Sequence, residues 1–152
     1  MSEIQRSPFR WILLAATILT VLATPSLPAD IRTLRKQAEA GDAKAPFNIG
    51  SMYENGVGVR QDYAEAAKWY RKAAEQGDVD TARILGLAYY LGKWVPQDLV
   101  QSYFWFSVAA SRASGDEYKQ ASEAKDQIAK ELTPEKRKEA QRMVTEWEKS
   151  HP

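Results

Sequence analysis

Two features of the sequence combine residue types and spacing that could do chemistry. In "YENGVGVRQD", Tyr53 to Asp62, the glycines Gly56 and Gly58 stand two apart, as in a backbone loop that cradles a phosphate. Asp62 and Asp98 recur in equivalent surroundings and would be the first carboxylate pair to consider for acid–base work. Neither idea fits its context. A phosphate loop needs a preceding strand and the spacing GxGxxG or GxxxxGK[ST], and both are missing around Gly56. Nothing near either aspartate gives it a reason for the raised pKa that a general acid requires, and both stand where a helix would need a cap. The rest of the catalytic inventory is small. His151 is the only histidine, next to the end of the chain, where chains usually fray. There is no cysteine. Histidine-centred triads, thiolate nucleophiles, disulfide frameworks and Cys/His metal sites are therefore excluded, and no cofactor is implied.

The elements that carry these residues repeat. Sliding the sequence by 36 places sets Gly50 on Gly86, Tyr53 on Tyr89, Gly56 on Gly92, Val59 on Val95 and Gln61 on Gln97. The same shift sets Asp62 on Asp98, Trp69 on Trp105, and Ala73-Ala74 on Ala109-Ala110. Upstream, "RKQAEAGD" (35–42) falls on "RKAAEQGD" (71–78). Each unit reads as a helix pair. Ala45, Ile49 and Tyr53 share a face at helical spacing, which predicts a first helix from about Ala43 to Glu54. Gly56 ends it as a left-handed stop. Asp62 caps a second helix that runs to Gln76, with Glu65 completing a capping box, and Asp98 with Gln101 repeats the device. Small residues Ala66, Ala67, Ala73 and Ala74 keep this helix slim, while Trp69 and Tyr70 are expected to fill the space between layers. The glycines of "ENGVGV" thus punctuate a helical hairpin.

At these residues the chain resembles the Sel1-like repeat, a relative of the tetratricopeptide repeat. The pattern A-x-x-x-L-G-x-x-Y-x-x-G-x-G-V-x-x-D-x-x-x-A-x-x-W-Y-x-x-A-A-x-x-G is matched nearly throughout by residues 45–80, with Ile49 for leucine. Residues 81–116 keep most of it but place Thr81 and Ser102 at alanine positions, Trp94 at the second glycine, Phe106 for tyrosine, and two extra residues before Gly115. The resemblance implies an all-α fold: a short right-handed α-solenoid of helix-turn-helix repeats spanning 30–152. One leading helix, two hairpins and capping helices over about 115–149 make seven helices. The tail opens with Thr133 as cap and Pro134 at the first helical position. Tyr103 and Phe104, in the run "SYFWFSVAA", are expected to pack under these caps, since terminal repeats must bury an exposed face.

The first thirty residues differ from the rest. Arg6 and Arg10 precede "WILLAATILTVLA", thirteen residues without a charge. This resembles a secretory signal over residues 1–29, with cleavage near Ala23 or Ala29, more than a bilayer span, which needs about 20 apolar residues. The expected location is periplasmic or secreted; the alternative is an uncleaved anchor in the inner membrane facing the periplasm, the one route to membrane association. The chain has 21 basic and 20 acidic residues, so no electrostatic footprint for nucleic acid is present.

What the repeat implies for function is binding of a protein or peptide partner, not catalysis. Cysteine-rich relatives suggest an alternative, a β-lactamase-like or penicillin-binding enzyme, but this chain has no cysteine, and the S-D-N and K-T-G elements of a serine β-lactamase are absent. In repeat solenoids the first helix of each pair usually lines the concave side. The partner-binding candidates are therefore Phe47, Asn48, Ser51 and Met52 from the first unit and Arg83, Ile84, Leu87 and Tyr90 from the second. Trp94 joins them as an aromatic anchor if exposed; otherwise it folds over the hairpin end beside Val95 and Pro96.

Overall fold

A computed structural model describes residues 30–151. The signal-peptide expectation for 1–29 lies outside the described residues. Seven helices follow one another: α1 (Ile31–Glu39), α2 (Ala45–Asn55), α3 (Tyr63–Glu75), α4 (Val79–Leu91), α5 (Leu99–Arg112), α6 (Gly115–Glu131) and α7 (Pro134–Ser150). Helices α2–α3 and α4–α5 are the two hairpins. Consecutive helices pack on one another from α1 to α6, and α7 packs back on α5. The architecture is an α-solenoid. Among the described residues no helix is long and apolar enough to cross a membrane.

The hairpins are held by the same bonds in both copies. Oδ1 of Asp62 accepts from the Glu65 N–H at 3.0 Å, and Oδ1 of Asp98 from the Gln101 N–H at 3.1 Å. The expected capping box is only half made. The Asp62 and Asp98 N–H groups donate across the hairpin to the carbonyls of Tyr53 and Tyr89, each at 2.9 Å. With no N–H left to receive, the Glu65 carboxylate pairs with Lys68. The amides of Gln61 and Gln97 donate to the carbonyls of Glu54 and Tyr90, both at 2.8 Å, so the ends of α2 and α4 lose orphan acceptors to a side chain. Arg35 donates to the Tyr53 hydroxyl at 3.0 Å and Arg71 to that of Tyr89 at 2.7 Å. The recurrence of "RK" thus ties each hairpin to the helix before it.

Close approach of the paired helices rests on two glycines. A Cβ built on Gly50 would stand 2.7 Å from the Tyr70 ring, and one on Gly86 would stand 2.7 Å from Phe106. Each ring sits directly against a bare stretch of helix. The alanine-to-serine departure at Ser102 is absorbed by a hydrogen bond from its buried hydroxyl to the Gly86 carbonyl, 2.7 Å. Trp69 corrects the expectation of two equivalent core tryptophans. It is half-buried beside the leading-helix cluster of Leu34, Ala38, Ala45 and Ile49, with Arg35 and Lys72 over its ring. Only the nine-residue α1 covers that side. Trp105 is buried, because α7 lies over the corresponding surface and brings Trp147 against Phe104. Tyr103 is buried in the cluster that Ile128, Leu132 and Ala140 share from the last two helices.

Candidate functional site

Helical periodicity places one face of each first helix on a common groove. On α2, Phe47, Asn48, Ser51 and Glu54 fall at the offsets of a single face. Arg83, Ile84, Leu87 and Leu91 do the same on α4. Helix α6 supplies a third wall with Ala124, Gln127, Ile128 and Glu131. Three pockets lie along this surface, of about 670, 330 and 250 Å³. They share side chains: Phe47 and Ile84 line the first two, Phe106 the first and third, and Leu87 all three. The surface is therefore one groove, with aromatic rings as its floor.

Its chemistry is mixed. Leu87 and Leu91 are 51% and 61% exposed, one turn apart on α4. Lys44, Asp78, Asp80 and Arg83 flank the apolar centre at one end, where Arg83 already holds Asp80 at 3.1 Å and Gln120 at 3.0 Å. At the α6 side the Tyr90 hydroxyl donates to Glu131 at 3.1 Å, which holds that phenol above its ordinary pKa. At the hairpin end, Tyr70 donates to Glu54 at 2.6 Å. Burial first, then this bond, keeps the Tyr70 hydroxyl protonated well above the usual tyrosine range. Among the described residues no cluster of His, Asp or Glu has the arrangement of a metal site.

Residues 43–78 and 80–114 each match the Sel1 repeat. The chain is a Sel1-repeat protein. Its solved neighbours agree. A protective antigen present in uropathogenic Escherichia coli strains, displaying an SLR fold, is 33% identical over 77% of this chain and 24% of its own, with a TM-score of 0.62. A Sel1 repeat protein from Oxalobacter formigenes is 34% identical over 60% of this chain and 37% of its own, TM-score 0.53. The chain thus spans well under half the length of either. No curated protein matches it. Sel1 repeats build helical scaffolds that in general mediate protein–protein contacts and are not catalysts.

Of the nine candidate residues, the structure brings eight to the groove: Phe47, Asn48, Ser51, Arg83, Ile84, Leu87, Tyr90 and Trp94. Met52 is the exception. It is turned toward the leading helix, packs with the Leu34 and Ile49 cluster, and its terminal methyl lies against the Gly58 turn. The groove also uses residues the sequence did not single out: Glu54, Leu91, Lys93 and Phe106. Leu91 stands one turn beyond Leu87, so the same periodicity would have reached it. The one S-x-x-K spacing, Ser122 to Lys125, lies on α6 away from the groove, with Lys125 directed at Asp126, 3.7 Å away.

Trp94 neither stands free as an anchor nor rests on Val95 and Pro96 alone. Its ring lies 5.2 Å from that of Tyr70, on the preceding unit. To reach it, the residue takes φ 67°, as Gly58 does at 71° in the first copy, and it is the one non-glycine residue with positive φ among those described. A left-handed conformation costs an L-residue about 1–2 kcal/mol. Trp94→Ala keeps that cost and Trp94→Gly escapes it. In urea titrations the glycine variant is expected to be about 1 kcal/mol more stable than the alanine variant. Equal midpoints would show that the turn relaxes once the indole is gone.

Proposed function

We propose that this Sel1-repeat protein is an exported adaptor of the bacterial envelope, holding an extended segment of a protein partner in the groove along α2, α4 and α6. The observation that carries this reading is Leu87. It is a large aliphatic side chain half in water, at the junction of three pockets that combine apolar and aromatic walls with charged and polar rims. Exposed apolar surface rimmed by polar groups is typical of protein-interaction sites, and anchoring by a few buried side chains suits a short array with limited contact area.

The location rests on the N-terminal segment, "WILLAATILTVLA" behind Arg6 and Arg10. The adaptor reading is tested by capture from envelope extract with the full chain, its Leu87→Glu variant, and a Lys68→Glu control on the exposed side of α3. A partner retained by the parent and the control, and lost by at least tenfold with Leu87→Glu, is the expected result. Equal retention by all three would remove the groove from the function. Intact mass of the exported chain decides the leader: loss of about 2.5–3 kDa marks cleavage of a signal of this length, whereas the full mass with membrane retention supports the anchored alternative.

A further inference from the structure

The two repeats share the residues that close the hairpin, and four of the positions at which they differ meet in one place. Glu54, Tyr70, Lys93 and Trp94 meet at the hairpin end of the groove. At the 36-residue shift their counterparts are Tyr90, Phe106, Val57 and Gly58. None of the four is kept in the other copy. The fold does not require them: α4 and α5 close around Phe106 without a hydroxyl, and the first turn closes with Gly58 where the second carries a strained tryptophan.

Together they have the chemistry of a cation site. The rings of Phe47, Tyr70 and Trp94 form a row, 5.5 Å and then 5.2 Å between centroids. The Glu54 carboxylate lies beside the row, fixed through one oxygen by the Tyr70 hydroxyl at 2.6 Å. Its other oxygen is 3.3 Å from the Lys93 ammonium, which also sits 4.6 Å from the centre of the Trp94 ring. Aromatic faces next to a fixed carboxylate attract cations. The two partners of this pair are unequally covered. The Glu54 side chain is 21% exposed and that of Lys93 is 60% exposed. A lysine so far in water is weakly held and screened by salt. A planar guanidinium would answer the site better, stacking on a ring while donating two parallel bonds to the carboxylate.

We propose that this end of the groove is a subsite for an arginine side chain of the bound segment, flanked by an aliphatic residue on Leu87 and Leu91, and that Lys93 occupies the subsite while the groove is empty. The assignment rests on the peptide-groove reading and adds the chemistry of the occupant. Lys93 then acts as an internal competitor. Its displacement sets a threshold that only a segment with both a cation and an aliphatic neighbour passes.

The test is an NMR titration of the full chain with ¹⁵N-labelled tryptophan. The probes are a capped leucine–arginine–leucine amide and its citrulline counterpart, which has the same shape without the charge. The Trp94 indole resonance, assigned by its loss in Trp94→Gly, is expected to move with the arginine peptide, and the citrulline peptide to bind about fivefold more weakly. Lys93→Ala, a change at an exposed side chain, is expected to bind the arginine peptide about threefold more tightly. Glu54→Gln is expected to erase the preference for arginine over citrulline. Equal affinity for the two peptides would overturn the cation subsite while leaving the groove reading in place. So would weaker binding by Lys93→Ala. No movement of any groove resonance with either peptide at millimolar concentration would overturn both.

Discussion

Gly86→Ala is expected to destabilise the protein by about 2 kcal/mol, although alanine in the middle of a helix ordinarily stabilises by about 1 kcal/mol over glycine. The sign is decided by what the methyl group would meet. Cδ2, Cε2 and Cγ of Phe106 lie 2.7, 2.8 and 3.0 Å from the position of the added Cβ. A ring edge cannot bend as the end of a flexible chain does. Phe106 is buried under α6 and the last turn before α7, in the cluster with Val100, Tyr103 and Ile128, so moving it disturbs the packing on both sides. Overpacking of this kind costs about 1–3 kcal/mol; the closeness of three ring atoms places it at the upper end, and the helix-propensity gain offsets a third of that. Urea unfolding of the two proteins measures the difference. Phe106→Leu in the Gly86→Ala background should recover more than half of the loss, since leucine removes the ring edge that clashes. A Gly86→Ala variant as stable as the parent would show that α4 and α5 separate freely and that ring-on-glycine contact does not set their distance. Phe106 also floors the groove, so peptide binding should weaken along with stability.

The hairpin architecture was legible because its punctuation is local. Gly56, Gln61 and Asp62 act within a few residues of themselves, and their recurrence as Gly92, Gln97 and Asp98 advertises the unit. What escaped the sequence is the bond that crosses the hairpin. The Asp62 N–H has two acceptors within reach of its chain, the Glu65 side chain and the Tyr53 carbonyl, and local spacing favours the first. The fold supplies the second, an orphan at the end of α2, and that one wins. The groove was legible in part for a similar reason. Phe47, Ser51 and Glu54 stand at i, i+4 and i+7, one helical face, whereas Met52 is five residues from Phe47 and turned well away from it. Strict use of that period would have exchanged Met52 for Glu54. Lys93 and Trp94 lie on a turn, where no period applies. Their meeting with Glu54 and Tyr70 depends on how one unit stacks on the last, which the residues of neither unit state alone.

That stacking also makes equivalent residues unequal, and the tryptophans show by how much. Trp69 and Trp105 occupy the same place in their repeats. Trp105 is 3% exposed, beneath α7 and edge-on to Phe104 at 5.0 Å. Its indole N–H finds no acceptor there, so the site is held by packing rather than by hydrogen bonding. Trp105→Ala is therefore expected to cost about 3–5 kcal/mol, the range for deleting a buried aromatic side chain. Trp69 is only half-buried. The cations of Arg35 and Lys72 lie 5.9 and 5.1 Å from its ring and retain much of their hydration, so Trp69→Ala is expected to cost about 1–2 kcal/mol. The two variants, unfolded side by side in urea, should differ by at least a factor of two in lost stability. Equal losses would mean that α1 covers its end of the array as well as α7 covers the other, against the unequal burial of the two rings. An unequal result carries a functional consequence. In a linear array whose units hold only their neighbours, strain is released at the weaker end first. The weaker end is α1, and behind it α2 carries Phe47, Asn48, Ser51 and Glu54. Opening there would dismantle the α2 wall of the groove while the α4 and α6 walls, both packed on the α5 that α7 covers, stay in place, so a bound segment that spans both walls would stabilise the leading end more than the trailing one.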